Sequence, residues 1–293
     1  MYVILTGMRL KAYGKINLGL DVVRKRDDGY HEVRMVMQNV GIFDRLEFEK
    51  CEKGKIEITT NLSFLPADQD NLIYKAAKLM IDTYGIEEGI KIHLEKHIPV
   101  SAGMAGGSSD AAATFVGMNN LFKLGLSTKK LQEIGVKLGA DIPYCIMRGT
   151  ALSEGIGEIL TPIKPMVKCP IIIAKPSISI STKYVYENLR ANELEYHPDI
   201  DRMVQEIKDG NLYGIAECMG NVLETVSCVK YPVIEDIKNN LKENGALNAL
   251  MSGSGPTVFA LFDDENVAKK AFDELKKTGL AKNVFLTEPV NFE

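Results

Sequence analysis

Residues 98–113 read IPVSAGMAGGSSDAAA, with three glycines and three serines inside eleven residues and alanines directly after. Glycine lets a backbone come close to a ligand and adopt positive φ, so successive N–H groups can converge on an anion. A helix N-terminus adds unsatisfied N–H donors and the positive end of the dipole. Gly103, Gly106 and Gly107 supply the first part. Ser108 and Ser109 lead into the helix-forming DAAATFVGMNNL, with hydroxyls able to donate to phosphate or face a magnesium ion. The chemistry indicated is phosphate binding. The pattern GxxxxGK[ST] fails because Ser108 follows Gly107, and GxGxxG fails because positions 101 and 105 are Ser and Ala. The same composition also serves a tight strand-to-helix turn. Asp110 sits awkwardly beside a triphosphate, and a helix cap or a contact away from the phosphates suits it better.

Other charged residues stand out by their surroundings. Lys15, between Tyr13 and Ile16 in an apolar run, would be costly to bury alone and calls for an acidic partner. Asp141 in GADIP follows a helix-ending glycine, where an exposed reactive carboxylate and a plain cap are both served. His93 and His97 lie four apart, but in a strand that spacing puts them about 13 Å apart, so no zinc site is expected.

The elements that must hold these residues are legible in outline. LKAYGKINLGLDVV, DRLEFEKC and KIEITT alternate as strands, with DGYHEV as a turn around Gly29. DNLIYKAAKLMIDTYG, residues 70–85, reads as a helix capped by Asp70 or Asn71 and stopped by Gly85. GIKIHLEKHIPV is a strand leading into the glycine run. Helices are expected over 108–124 and over 127–139, the latter capped by Ser127 or Thr128 and stopped by Gly139. Prolines 162, 165, 170 and 176 suggest a lobe boundary near 160–170, dividing the chain into 1–163 and 164–293. Beyond it, helices are expected at 183–190, 199–208, 211–227, 232–244 and 265–277, with strand character at 246–262 and 283–287. The mixture without a βαβ rhythm favours α+β.

The chain has 293 residues, 45% of them hydrophobic and 25% charged, enough for two lobes with sizeable cores. A net charge of -4 gives no basic footprint for nucleic acid. Five cysteines without a CxxC indicate neither a disulfide framework nor a zinc ribbon and fit a reducing cytoplasm. The apolar start is too short and broken for a membrane span or signal peptide, and Met8 could serve as an alternative start that makes the first seven residues incidental.

KAYGKINLGL, PVSAGMAGGSSDAA and SGSGPTVFALF, in that order, resemble the three motifs of the GHMP small-molecule kinases, and DDGYHEV and LGADIPYCI narrow the likeness. The resemblance spans roughly residues 9–262. It implies a two-lobed fold, with a ribosomal protein S5 domain 2-like N-terminal lobe and a ferredoxin-like C-terminal lobe. It also implies transfer of the γ-phosphate of ATP to the 2-hydroxyl of 4-diphosphocytidyl-2-C-methyl-D-erythritol, in non-mevalonate isoprenoid synthesis. Another small alcohol, or a nucleotide sensor without turnover, is the alternative. By the same resemblance Asp141 is the base and Lys15 its cationic partner, paired within about 4 Å, a range in which opposite charges shift each other's titration. ATP falls to Pro99, Val100, Ser101, Ala102, Gly103, Met104, Ala105, Gly106, Gly107, Ser108 and Ser109, with Asn71, Leu72 and Lys96 around the adenine. The cytidyl substrate falls to Asn17, Tyr30, His31, Thr182, Tyr186, Gly253, Ser254 and Gly255, with Tyr30 and Tyr186 on opposite faces of the base. Mg²⁺ arrives with ATP and needs no dedicated protein cage. The expected partner is a small molecule, not nucleic acid or membrane, and the protein itself a monomer or weak homodimer.

Overall fold

Alternation from Met8 to Cys51 becomes two long strands, β1 (Met8–Lys25) and β2 (His31–Cys51), joined through a turn in which Gly29 has φ 86°. The structure, a computed structural model, describes residues 7–292, so the reading of the first seven residues as incidental lies, Gly7 aside, outside the described residues. The chain continues through β3 (Ile56–Thr60), α1 (Leu72–Tyr84), β4 (Gly89–Glu95), α2 (Gly106–Leu121), α3 (Thr128–Gly135) and α4 (Ile142–Met147). Next come β5 (Thr150–Glu154), β6 (Ile159–Pro162), β7 (Ile171–Lys175), α5 (Thr182–Asn188), α6 (Ile200–Asp209) and α7 (Leu212–Cys218). Then follow β8 (Gly220–Asn221), α8 (Glu224–Lys230), α9 (Val233–Glu243), β9 (Asn248–Met251), β10 (Val258–Leu261), α10 (Glu265–Thr278) and β11 (Asn283–Thr287). The class is α+β, as the mixed pattern implied.

Two compact units emerge. The first comprises the chain up to Gly14, Ile42–Ile98 and Ala105–Met147; the second comprises Lys15–Gly41, Pro99–Met104 and everything from Arg148. The 163/164 division read from the prolines falls inside the second unit. Both long strands run through both units, a feature that a composition shift does not register.

In the first unit β4 pairs antiparallel with β2 and parallel with β3. α1 and α2 pack together, and Ile73, Ala76, Met80, Phe115, Met118 and Phe48 are fully buried. Asn71 caps α1, its side chain accepting from Ile73 N, and Gly85 closes the helix at φ 63°, a cap contributing about 1 kcal/mol. In the second unit β11, β7, β10 and β9 form a four-stranded antiparallel sheet with α9 and α10 packed on it. β7 is buried at every residue: Ile171–Ala174 form an apolar run in a covered sheet, and Lys175 is buried at its end.

Three expected helices differ. α2 starts at Gly106, two residues early. α3 ends at Gly135, with turns rather than helix up to Gly139. The single helix expected over 211–227 is two, α7 and α8, because Gly220 and Asn221 leave the helix to pair with Gly19 and Leu20 of β1.

Candidate functional site

The glycine-rich segment crosses from one unit to the other at residues 104/105, and each part has its own supports. In the second unit, Ser101 (φ 52°) and Gly103 (φ 70°) adopt left-handed backbone, and Ala105, the next alternate residue, does so too at φ 54°. Alternating hand turns successive N–H groups toward one side, the arrangement that binds anions. Only one of the three glycines carries this geometry. Ser101 and Ala105 hold it against the steric preference of L-residues. Ser101 is exposed, Pro99 and Val100 are half-buried, and Ala102 and Met104 point into the core.

What fixes this turn is the rest of the second unit. Lys15 N donates to Met104 O at 3.1 Å, and Ser252 Oγ donates to Gly103 O at 3.0 Å. A Cβ on Gly103 would stand 2.2 Å from Ser252 O, so the two turns touch through bare backbone. Gly253 (φ 56°) lies, by its Cβ position, 3.1 Å from Gly103 O and 3.6 Å from Asn17 Oδ1. Asn221 Nδ2 anchors the 251–253 backbone through Met251 O and Gly253 O, and Ser227 Oγ donates to Ser254 O. The first and last motif segments and the first part of the middle one thus meet in one unit. Sequence reading assigned roles to Gly253, Ser254 and Gly255 but missed Ser252, Asn221 and Ser227. Ser252 stands in the quoted motif; nothing in the sequence marks the other two.

Lys15 is buried at 4% exposure, and its ammonium donates to Asn17 Oδ1 at 2.6 Å. Its hydrogen-bond partner is therefore an amide rather than the acid expected. Asn17 in turn donates to Met35 Sδ at 3.2 Å, which holds its oxygen toward Lys15.

The aromatic end of the second unit lies at the β1–β2 turn. Tyr30 is 60% exposed, while the His31 and Tyr186 rings lie with centroids 5.1 Å apart, tilted at 40° to each other. His31 Nε2 is buried without a hydrogen-bond partner, a polar atom left for a ligand. Burial, with Lys25 nearby, holds the imidazole below its ordinary range, so it is neutral at pH 7. Ser181 caps α5 by accepting from Tyr184 N, and Thr182 shares a 2.8 Å hydrogen bond with Ser254.

In the first unit, α2 begins at Gly106 after Ala105, with no side chain capping it, so its first N–H groups are unclaimed. Gly107 is exposed, Ser108 is half-buried, and Leu72 approaches a Gly107 Cβ position to 3.4 Å, forming a wall beside the helix start. Three expected contacts prove to be supports. Ser109 is 2% exposed and donates to Tyr13 O at 2.6 Å, so its hydroxyl ties the helix to β1 rather than facing a metal. Asn71 spends its amide on its cap and on Pro66 O. Lys96 is buried at 8% exposure, with its ammonium 2.5 Å from Asp44 Oδ2 and 2.6 Å from Asp110 Oδ2. Its main-chain N–H and C=O bond the Asn61 amide. Asp110 thus neither caps the helix nor faces the phosphates. Asp44 had a legible signal, an acid on the face shared by buried Ile42, Leu46 and Phe48.

Asp141 lies just before α4, and its carbonyl accepts from Cys145 N at 3.0 Å. Its carboxylate is half-buried and makes no hydrogen bond or ion pair among the described residues. A capping aspartate would spend that oxygen on the helix; this one keeps it. His97 pairs with Glu95 and His93 with Thr59. Among the described residues no three His, Cys, Asp or Glu side chains cluster as a metal site, and no helix is long and apolar enough to cross a membrane.

Comparison with known proteins adds to this geometry. Residues 71–149 match the family model for the GHMP kinases N terminal domain, and residues 203–281 match that for GHMP kinases C terminal. The chain is 54% identical to 4-diphosphocytidyl-2-C-methyl-D-erythritol kinase of Lachnoclostridium phytofermentans, over 95% of this chain and 96% of that one. It is 47% identical to the same-named protein of Clostridium perfringens, over 97% and 99%. A crystal structure of 4-(cytidine 5'-diphospho)-2C-methyl-D-erythritol kinase superposes with a TM-score of 0.83 at 28% identity, covering 97% of this chain and all of that one. Homoserine kinase from Cytophaga hutchinsonii shares the fold, with a TM-score of 0.78 at 20% identity over 99% and 96%.

Proposed function

This chain belongs to the GHMP kinases, and from that premise we propose that it transfers the γ-phosphate of ATP to the 2-hydroxyl of 4-diphosphocytidyl-2-C-methyl-D-erythritol. The products are the 2-phosphate and ADP, a step of non-mevalonate isoprenoid synthesis. The single observation that carries the reading is the convergence, inside the second unit, of Lys15 and Asn17, the 101–104 turn and the 252–255 turn. Phosphoryl transfer asks for positioning and charge stabilisation rather than covalent chemistry by the protein.

Each residue then has a task. The left-handed turn and the uncapped start of α2 offer main-chain N–H groups to the phosphates. Leu72 forms a wall for adenine. Asp141, with its carboxylate uncommitted, takes the proton of the 2-hydroxyl as that oxygen attacks phosphorus. Lys15, held by Asn17, supplies positive charge for the oxyanion. His31 offers an unpartnered nitrogen to the polar edge of cytosine, with Tyr186 and Tyr30 supplying stacking surface and Thr182 and Ser254 a hydroxyl pair.

Mg²⁺ accompanies ATP. The Ser108 hydroxyl at the helix start is a hard oxygen donor that would suit it, and the ion would supply neutralisation of phosphate charge. The test is ADP release against a panel of alcohols. Turnover with the cytidyl compound and none with homoserine or mevalonate is expected. Turnover with another alcohol would reassign the substrate, and ATP binding with no substrate-dependent ADP would make the protein a nucleotide sensor.

A further inference from the structure

β9 is an edge strand: its one strand partner is β10, so part of its main chain faces no neighbouring strand. Side chains take that place. Ala249 N–H donates to Asn248 Oδ1 at 2.9 Å, and Met251 N–H to Glu224 Oε1 at 2.8 Å. Asn221 Nδ2 donates to Met251 O and to Gly253 O, both at 2.8 Å, and Ser227 Oγ donates to Ser254 O at 3.1 Å. The short segment 221–227 thus holds main-chain groups of Met251, Gly253 and Ser254. That segment is itself fastened. Gly220 and Asn221 pair with Gly19 and Leu20 of β1, the strand that carries Lys15 and Asn17, and Val222 N donates to Leu20 O. Asn221 Oδ1 accepts from Leu223 N, which turns its NH₂ toward Met251. Glu224 is fixed by Lys238 of α9, whose buried ammonium lies 2.8 Å from Glu224 Oε2 and 2.9 Å from Glu235 Oε2.

We propose that Asn221 and Glu224 are positioning residues for phosphoryl transfer: they clamp Met251 by both of its main-chain groups, so that the 252–255 turn keeps its place against Gly103 and Asn17. The proposal rests on the kinase reading above. Both residues act through Met251 and not on a ligand. Met251 passes the restraint on in two ways. It is fully buried, and a Cβ on Gly255 would stand 2.5 Å from its Sδ, so its side chain lies under the far end of the turn. Its neighbour Ser252 donates to Gly103 O, and Gly253 approaches both Gly103 O and Asn17 Oδ1. Release of Met251 therefore moves the support of the 101–104 turn, whose N–H groups are the proposed phosphate donors. The clamp also ties that support to β1, which carries the cation, so it sets the spacing between two parts of the reaction. Misplacing reacting groups by about 1 Å can cost about 10²-fold in rate. Apolar residues of the same shape do not substitute, because Met251 N–H and C=O would lose their partners at the strand edge.

ADP-release kinetics and ATP titration of the full chain test the clamp, at a temperature where each variant is fully folded by its own melting curve. Asn221→Ala is expected to lower kcat about tenfold or more and to weaken ATP binding about threefold or more. Leu275→Ala, fully buried on α10, is the stability control: it melts lower, with kcat and ATP affinity parental. Two double variants isolate the Glu224 bond. Both E224Q/K238M and E224M/K238M remove the ion pair, and only the first keeps an oxygen for Met251 N–H. E224Q/K238M is expected within about threefold of the parent in kcat, and E224M/K238M about tenfold or more below it. A lower melting temperature in N221A with parental kcat and ATP affinity overturns the proposal, as does equal kcat in the two double variants, because the clamp would then serve stability alone. Where N221A or E224M/K238M does not fold, the other decides. If the parent releases no substrate-dependent ADP, the kinase reading falls, and the clamp is judged by ATP affinity, which N221A must still weaken.

Discussion

Replacing Gly103 by alanine tests the backbone-to-backbone contact on which the phosphate turn depends. Gly103 has φ 70°, and its missing Cβ would lie 2.2 Å from Ser252 O, 3.1 Å from Gly255 O and 3.2 Å from Gly255 N. Left-handed backbone costs a residue with a Cβ about 1–2 kcal/mol. The overlap is with main chain, which cannot rotate away, so one turn must shift at a further cost of about 1–3 kcal/mol. The Ser252–Gly103 hydrogen bond is strained by the same shift and contributes about 1 kcal/mol. These costs total about 3–6 kcal/mol, so G103A is expected to melt about 6–24 °C lower than the parent, taking about 2–4 °C per kcal/mol. KM for ATP should rise with it, because the displaced N–H groups are the proposed phosphate donors. Gly107→Ala is the control. That residue is helical, and its nearest neighbour to a new Cβ is the Leu72 side chain at 3.4 Å. Helix propensity favours alanine there by up to about 1 kcal/mol, so G107A should melt at or above the parent. Differential scanning fluorimetry and ADP-release kinetics read both variants. If G103A melts within about 2 °C of the parent, less than 1 kcal/mol on this scale, the account of the turn is wrong.

Asp141→Asn should lower kcat about 10²–10⁴-fold, the range of general-base contributions, while ATP still raises the melting temperature; near-parental turnover would remove Asp141 as the base. Tyr186→Ala removes a stacking face of about 1–3 kcal/mol and should raise KM for the cytidyl substrate about 5–150-fold, with Tyr186→Phe close to the parent. Burial, then Lys25, lowers the His31 pKa, so its neutral ring is favoured in the fold above the unfolded value of about 6.5. That contribution is lost as pH falls through the folded value, and the same KM should be flat above about pH 6.5 and climb on acidification, a rise absent in His31→Gln. Ser109→Ala removes the hydroxyl bond to Tyr13 O and should cost about 1 kcal/mol in a denaturant titration, with the Mg²⁺ dependence of turnover unchanged; a shifted Mg²⁺ dependence would return Ser109 to the metal.

Local rules carried far along this chain. The caps at Asn71 and Ser127, the stop at Gly85 and the strand alternation over 8–60 depend on neighbours a few residues away, and sequence contains those neighbours. The same holds for the backbone freedom of 98–109, on which the proposed phosphate binding depends. Tertiary contacts decided the remainder. Whether Gly103 or Gly106 takes the left-handed turn depends on Ser252 and Gly255, some 150 positions away. Whether Ser109 faces a metal or a carbonyl depends on Tyr13, and whether Lys96 is a surface charge or a buried one depends on Asp44 and Asp110. Gly220 and Asn221 leave a helix because β1 offers them a partner. Residue types and spacing set which groups are able to bind an anion or move a proton. Which of them remain uncommitted is set by desolvation and by distant partners, and those exist only once the chain has folded.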